Sequence, residues 1–254
     1  MSERLLLPSR VPPIVRLLLA MLLFSMVSTA VVMCGERSGL WPANGGALGQ
    51  AVVAAAGALT LVAFAYAVPP PGELSTGLMA KCYAPLPFGP LALPFRSLLR
   101  VTLLRSYLPF AIGWCAFTWC YLKAMCMSGH PVAMQPMLLL LRTEGLTEET
   151  LALALASVVA APIAEELLFR GYLLGALLPF LPTWLAYCIT AAAFGIAHGP
   201  DYALPIALLG LYFGWLRQRY AALLPSVLAH AVHNGLMVCI ALLLPRALDL
   251  LYCR

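Results

Sequence analysis

Two adjacent glutamates and an arginine interrupt a long apolar stretch in the second half of the chain. Glu165, Glu166 and Arg170 fall in the segment A-P-I-A-E-E-L-L-F-R-G, which covers positions 161–171. A charged side chain near the centre of a membrane helix costs about 2.5–3.5 kcal/mol on insertion scales. Three charges so close together therefore need partners, water or a function.

Two later apolar segments each carry a polar residue that is paired with another candidate residue four positions away. Phe194 is followed by His198, and His230 is followed by Asn234. Residues four apart lie on one face of a helix, so His230 and Asn234 are predicted to point into the same space.

The same spacing separates Glu166 from Arg170 and predicts an ion pair between them. Glu165 lies about 100° around the helix from Glu166, because a helix has about 3.6 residues per turn. The two glutamates therefore cannot do the same job. We expect Glu166 and Arg170 to support the site, whereas Glu165 is expected to have a catalytic or ligand role.

A carboxylate and histidines that meet in a protein-lined cavity are suited to activate water. The carboxylate takes a proton, and nearby donors hold the developing oxyanion, as peptide hydrolysis requires. At a rise of about 1.5 Å per residue, Glu165, His198 and His230 lie roughly 15–22 Å along their predicted helices. All three can therefore meet in the middle of a bilayer.

The same side chains are also possible metal ligands, since glutamate and histidine both bind zinc. The chain contains neither an H-E-x-x-H motif nor the G-x-S-x-G motif of serine hydrolases. The sequence leaves the use of a divalent metal such as zinc open. If a metal is used, Glu165, His198 and His230 are the candidate ligands.

The elements that must position these residues are membrane helices. The chain has 254 residues, of which 63% are hydrophobic and only 10% charged, too few polar residues to cover a water-soluble domain. We predict an all-α polytopic helical bundle that forms one integral membrane domain over residues 1–254. About seven transmembrane helices are expected, with six to eight possible, near residues 14–33, 47–68, 101–127, 147–178, 183–198, 202–216 and 221–244.

The connections between these spans give further expectations. Pro69, Pro70 and Pro71 end the second span, and the proline-rich stretch 72–100 is predicted to lie on the membrane surface. Residues 131–141 are too short to cross and read as an interfacial piece. Thr147 is predicted to cap the helix that carries Glu165, with two glutamates in its first turn.

Charge and cysteine content exclude other classes of protein. The formal charge of +5 comes from basic residues scattered between apolar runs, which is not the stripe that a nucleic-acid site requires. More of them fall on one side of the predicted spans, which predicts a cytoplasmic N-terminus. The eight cysteines are expected to be buried apolar thiols, and not a disulfide framework or a metal site.

The ordered set E-E-x-x-x-R, F-x-x-x-H and H-x-x-x-N resembles the CAAX prenyl protease and bacteriocin-processing superfamily, which includes the type II CAAX endopeptidases and abortive-infection-like proteins. The resemblance covers about residues 147–244 and implies an intramembrane endopeptidase core there. It implies that Glu165 activates water with help from His198, that His230 and Asn234 stabilise the oxyanion, and that Glu166, Arg170 and Phe194 support the site.

The expected partners are the lipid bilayer and a membrane-associated protein or peptide substrate, with or without a lipid group. The sequence identifies neither this substrate nor the oligomeric state. Two alternatives stay open. Buried Glu, His and Arg also form proton relays in transporters. A non-catalytic immunity or scaffold protein could keep the same fold.

Overall fold

The computed structural model describes residues 11–41, 46–68, 70, 97 and 99–252. This part of the chain forms helices and no strands, so the predicted all-α polytopic bundle is confirmed. The proline-rich stretch 72–100, which we predicted to lie on the membrane surface, falls almost entirely outside the described residues.

Nine helices follow one another along the described chain. They are α1 (Pro13–Arg37), α2 (Gly46–Ala67), α3 (Leu108–Met127), α4 (Pro136–Glu144), α5 (Glu148–Leu177), α6 (Thr183–Ala197), α7 (Ala203–Tyr220), α8 (Leu224–Leu243) and α9 (Pro245–Leu251). A π-helical turn over Arg100–Tyr107 leads into α3.

All seven predicted spans correspond to helices. Five of the described helices are long and apolar enough to cross a membrane, namely α1, α2, α3 with the end of its π-helical turn, α5 and α8. The apolar helix α6 is shorter. Large apolar side chains cover their outer surfaces, as at Leu59, Ile112 and Ile196, which are 66–71% exposed. A bilayer is the solvent that suits such a surface.

Several predicted boundaries were wrong by a few residues. α1 continues to Arg37, beyond the predicted end at residue 33, and therefore includes Glu36. α7 extends to Tyr220 and includes Arg217 and Arg219 in its last turn, where the helix dipole stabilises cations. The interfacial piece becomes the short helix α4, and α9 had no counterpart among the predicted elements.

The cysteine prediction was half right. Cys34, Cys115, Cys120, Cys188 and Cys239 are unpaired thiols, as expected, but they are exposed on helix surfaces and not buried. A cysteine behaves as a small apolar residue, so an outward position on a membrane helix suits it equally well.

The helix that carries the two glutamates starts as predicted. Thr147 accepts a hydrogen bond from the backbone N–H of Thr150, whose side chain in turn accepts one from the N–H of Thr147, which makes a capping box. Within α5, π-helical turns span Ala156–Ala160 and Leu167–Leu173. Glu165 and Glu166 lie in the α-helical piece between these turns.

Two packed cores hold α5 in place. On one side it packs against α1 and α2, where Leu61, Leu167 and Tyr172 are fully buried and the Tyr172 hydroxyl donates to the Val68 carbonyl. The other core joins α3, α6, α7 and α8 around Phe194 and Phe213. The polar residues of α5 therefore lie between two apolar cores.

Candidate active site

The two neighbouring glutamates of α5 have different surroundings. The side chain of Glu166 is 0% exposed, whereas that of Glu165 is 28% exposed. This agrees with the prediction that a rotation of about 100° sends them to different sides of the helix.

Glu166 forms a fully buried ion pair with Arg170. Nη1 of Arg170 donates to Oε1 of Glu166 over 2.8 Å, and Nη2 donates to the carbonyl oxygen of Gly210 over 3.0 Å. A Cβ at Gly210 would lie only 3.0 Å from Cα of Ala191. The glycine therefore lets α7 approach α6 closely enough to present its carbonyl to the arginine.

Two phenylalanines cover the guanidinium. Arg170 lies 4.3 Å from the ring centre of Phe194 and 5.4 Å from that of Phe213, which are cation–π distances. Phe194 thus packs against the ion pair, where we predicted a supporting role. Phe213 also stacks on His230, with ring centres 4.7 Å apart and an angle of 19° between the rings.

His230 lies between the two glutamates. Its Nδ1 is 3.0 Å from Oε1 of Glu166, and its Nε2 is 3.7 Å from Oε2 of Glu165. Because Glu166 is paired with Arg170, it is ionised and only accepts, so Nδ1 of His230 must carry the shared hydrogen. Nε2 then faces Glu165.

His198 approaches the same glutamate from the end of α6. Its Nδ1 donates to the carbonyl oxygen of Phe194 over 2.8 Å, because a carbonyl can only accept. Its Nε2 is 3.7 Å from Oε2 of Glu165. Gly199, at φ 94°, ends the helix directly behind it, in a conformation that favours glycine.

Asn234 lies one turn after His230 and binds the backbone of α5. Its Nδ2 donates to the carbonyl oxygen of Ser157 over 2.8 Å. Ser157 belongs to the first π-helical turn, and π-turns leave backbone groups free for other partners and often occur at functional sites. The seven residues singled out in the sequence therefore meet in one region.

A large cavity opens beside this cluster. Its volume is about 900 Å³, within the range of ligand sites. Glu165, His198, His230 and Asn234 line it together with apolar side chains of α3, α7 and α8. Oε2 of Glu165 is buried and has no hydrogen-bond partner within the described part of the chain.

The same cluster contains the residues that the sequence named as candidate metal ligands. Among the described residues, no group of three or more His, Cys, Asp or Glu side chains could hold a metal ion. Nδ1 of each histidine is engaged, and both Nε2 atoms face a single oxygen of Glu165. An engaged Nδ1 is common in metal-binding histidines, so Glu165, His198 and His230 stay the candidate ligands if a metal is used.

Sequence reasoning missed four contributors. Three of them have no sequence signal. The ring of Phe213 stacks on His230, Gly210 allows α7 to approach α6 closely, and Ser157 offers a backbone carbonyl in a π-helical turn. Gln50 of α2 lines the cavity beside Glu165. It could have been noticed as a carboxamide within an apolar helix.

A second histidine of α8 belongs to a separate cluster. Nδ1 of His233 is 3.1 Å from the Tyr107 hydroxyl, and its ring meets that of Trp114 edge to face at 4.6 Å. No contact joins it to the two glutamates among those described, in keeping with its position outside the predicted motifs.

Comparison with known proteins adds one finding. The family model described as type II CAAX prenyl endopeptidase Rce1-like matches residues 147–236, a range that includes all seven predicted residues. No curated protein and no solved structure matches the chain. Residues 147–236 are therefore similar to the Rce1-like family, which confirms the resemblance to the CAAX prenyl protease and bacteriocin-processing superfamily that the three motifs predicted.

Proposed function

We propose that the chain is an intramembrane endopeptidase that hydrolyses a peptide bond of a membrane-associated protein or peptide, with or without an attached lipid. The observation that carries this proposal is the position of Oε2 of Glu165. It faces Nε2 of both His198 and His230 at 3.7 Å, at the edge of the large cavity. The Rce1-like match supports an endopeptidase of the CAAX type in general terms.

Glu165 and His198 are suited to hold the attacking water. A separation of 3.7 Å is too long for a direct hydrogen bond but suits two groups that share one water. A neutral His198 with its hydrogen on Nδ1 presents an acceptor at Nε2. The water would therefore donate one hydrogen bond to Glu165 and the other to His198, which leaves its oxygen lone pairs free to attack.

Glu165 then transfers the proton of the water to the leaving group in two steps. As the water oxygen bonds to the carbonyl carbon, Glu165 takes the proton as general base. When the tetrahedral intermediate collapses, Glu165 passes this proton to the departing amide nitrogen. The carbon–nitrogen bond breaks, and the products are one new carboxyl terminus and one new amino terminus.

His230 and Asn234 are suited to stabilise the oxyanion. With Nδ1 bonded to Glu166, His230 donates from Nε2 in the protonated form of its ring. The amide of Asn234 has a second N–H besides the one bonded to Ser157. Donors aimed at a developing oxyanion each contribute about 10²–10³ in rate.

This assignment also balances the charges in the apolar site. Arg170 neutralises Glu166, and Glu165 keeps 28% of its side chain exposed. Buried charges are tolerated when they are paired, so the cluster can exist within a bilayer. Arg170 and Phe194 then hold Glu166, and Glu166 orients His230.

Replacement of Glu165 by Gln tests the proposal. Membrane proteomes of cells with the wild type and with Glu165→Gln are compared for peptide fragments that appear only with the wild type. The identified substrate is then incubated with both purified proteins. Cleavage should fall by about 10²–10⁴. The same change at Glu144, at the end of α4, is the matched control.

Retained cleavage by the purified Glu165→Gln and His198→Ala proteins would overturn the proposal. Proton flux into liposomes that depends on Glu165, without cleavage of any substrate, would favour the transport alternative. A cellular phenotype that persists in Glu165→Gln would favour the scaffold alternative.

A further inference from the structure

A second cavity meets the large one at Glu165. It is a groove between α1, α2 and α5 with a volume of about 460 Å³, which is also within the range of ligand sites. Gln50, Ala161 and Glu165 line both cavities. The two cavities therefore adjoin at the carboxylate that we propose as the base. We call the second cavity the α1–α2 groove.

The groove has the shape of a channel for an extended chain. Along α1 it is lined from Phe24 to Glu36, which corresponds to about 18 Å of helix. Its opposite wall contains small residues, among them Gly49, Ala54 and Ala164. An extended peptide advances about 3.3 Å per residue, so roughly five residues span this length.

Gln50 supplies the hydrogen bonds that a peptide in this groove would need. In an apolar environment each unsatisfied backbone group costs several kcal/mol. A glutamine carboxamide carries both a donor and an acceptor, as a peptide group does. Because Gln50 lies where the two cavities join, it is suited to hold the main chain beside Glu165.

The two ends of the groove carry charged side chains, whereas its walls are mostly apolar. Both charged side chains that line its described part are carboxylates, Glu165 at the junction and Glu36 near the end of α1. Glu36 is half-buried, and Arg37 beside it is exposed and is not among the lining residues. A substrate with a basic side chain at this end is favoured, and an acidic one is repelled.

We propose that the α1–α2 groove binds a short extended apolar segment of the substrate that ends in a basic side chain. This segment lies on the opposite side of the cleaved bond from the part held in the large cavity. Gln50 pairs with its main chain, and Glu36 selects its charge. The proposal rests on the proposed endopeptidase function, since the cleaved bond must lie beside Glu165.

Peptide binding tests the charge preference without the need for cleavage. The full chain in lipid nanodiscs is titrated with two labelled heptapeptides of alanine and leucine, capped at both ends, that differ only in a terminal Lys or Glu. The wild type should bind the Lys peptide about three- to tenfold more tightly, as expected for a charge pair near the surface. Glu36→Gln should abolish the preference, Glu36→Lys should reverse it, and Arg37→Gln should leave it unchanged.

Two neighbouring valines test the location. Val53 lines the groove, whereas Val52 does not and is 38% exposed on the outer side of α2. Val53→Phe should fill the groove and weaken the binding of both peptides at least tenfold, and Val52→Phe should have no effect. Gln50→Leu, which keeps the size but removes the carboxamide, should weaken binding about fivefold.

The inference is overturned if neither peptide binds, if both bind equally, or if Val52→Phe weakens binding as much as Val53→Phe does. Failure of the proposed function looks different. In that case the peptides bind with the stated preferences, but neither they nor longer apolar peptides with the same basic residue are cleaved by the wild type.

Discussion

The two sides of α5 differ in how they accommodate the charge of a glutamate. On one side Glu166 is fully buried, and its charge is met by Arg170 at 2.8 Å and by His230 at 3.0 Å. On the other side Glu165 keeps 28% of its side chain exposed at the junction of two cavities, with both histidines no closer than 3.7 Å. One carboxylate is held in a buried ion pair within the protein, and the other faces the cavities without a direct hydrogen bond to either histidine.

This difference separates a structural charge from a reactive one. A carboxylate whose hydrogen bonds are taken up by arginine is held in its ionised form and is a poor proton acceptor. Glu165, whose charged partners are 3.7 Å away, lines a cavity and can accept a proton from a bound molecule. The same substitution is therefore expected to lower stability at Glu166 and to leave it nearly unchanged at Glu165.

The largest expected difference is in stability. Glu166→Gln leaves Arg170 buried without its counter-charge and should lower the free energy of unfolding by about 3–5 kcal/mol. Glu165→Gln removes no contact shorter than 3.7 Å and should change it by less than about 0.5 kcal/mol. Equilibrium unfolding of the purified proteins in mixed micelles measures both values.

A double substitution provides the control. Glu166→Gln combined with Arg170→Met removes both charges and should recover most of the lost stability, since a buried ion pair can often be replaced by apolar residues. Activity should stay low, because His230 would lack its carboxylate partner. Equal stability of the two single glutamate variants would contradict the division between the sides of α5.

This division was predictable from sequence only in part. The spacing of four predicted the pair between Glu166 and Arg170, because helix geometry alone decides which residues share a face. It also predicted that Glu165 points elsewhere. The sequence could not predict which groups of other helices lie opposite each glutamate, since that depends on how α2 and α7 pack against α5.

The missed contacts are all long-range and have no local signal. Gly210 meets Arg170 through a backbone carbonyl, and Ser157 meets Asn234 through a carbonyl in a π-helical turn. Neither contact depends on a distinctive side chain. By contrast, Thr147 was predicted as a helix cap because capping is local.

The second prediction compares two histidines on α8. His230 bridges the two sides of α5, whereas His233 contacts Tyr107 and Trp114 in the separate cluster. His230→Gln should reduce kcat by about 10²–10³, the cost of one oxyanion donor. His233→Gln should reduce it by less than about tenfold, because only packing near the cavity changes. Steady-state kinetics on the identified substrate measure both, and equal losses would contradict the assignment of His230.

The third prediction concerns the glycine behind the ion pair. In Gly210→Ala the new Cβ would lie 3.0 Å from Cα and 3.2 Å from Cβ of Ala191, so α7 must move away from α6. We expect a loss of about 1–3 kcal/mol in stability, as for other overpacked sites, and a weaker hold on Arg170. Gly113→Ala is the matched control, because a Cβ there meets nothing within 4 Å. It should stabilise α3 by up to about 1 kcal/mol.

The smallest effect is expected where the same kind of ion pair is exposed. Arg142 of α4 donates to Asp249 of α9 over 2.8 Å, but the two side chains are 28% and 25% exposed. The hydrogen bond to Asp249 raises the pKa of Arg142, so as long as Asp249 is ionised the pair is lost only above the usual arginine range. Arg142→Gln should lower Tm by at most about 2 °C at low salt.

Salt separates the exposed pair from the buried one. In 1 M salt, where the Debye length is about 3 Å, the effect of Arg142→Gln on Tm should vanish, whereas the effect of Glu166→Gln should persist. If salt weakens both variants equally, the Glu166–Arg170 pair is not shielded from water, and the two sides of α5 differ less than proposed.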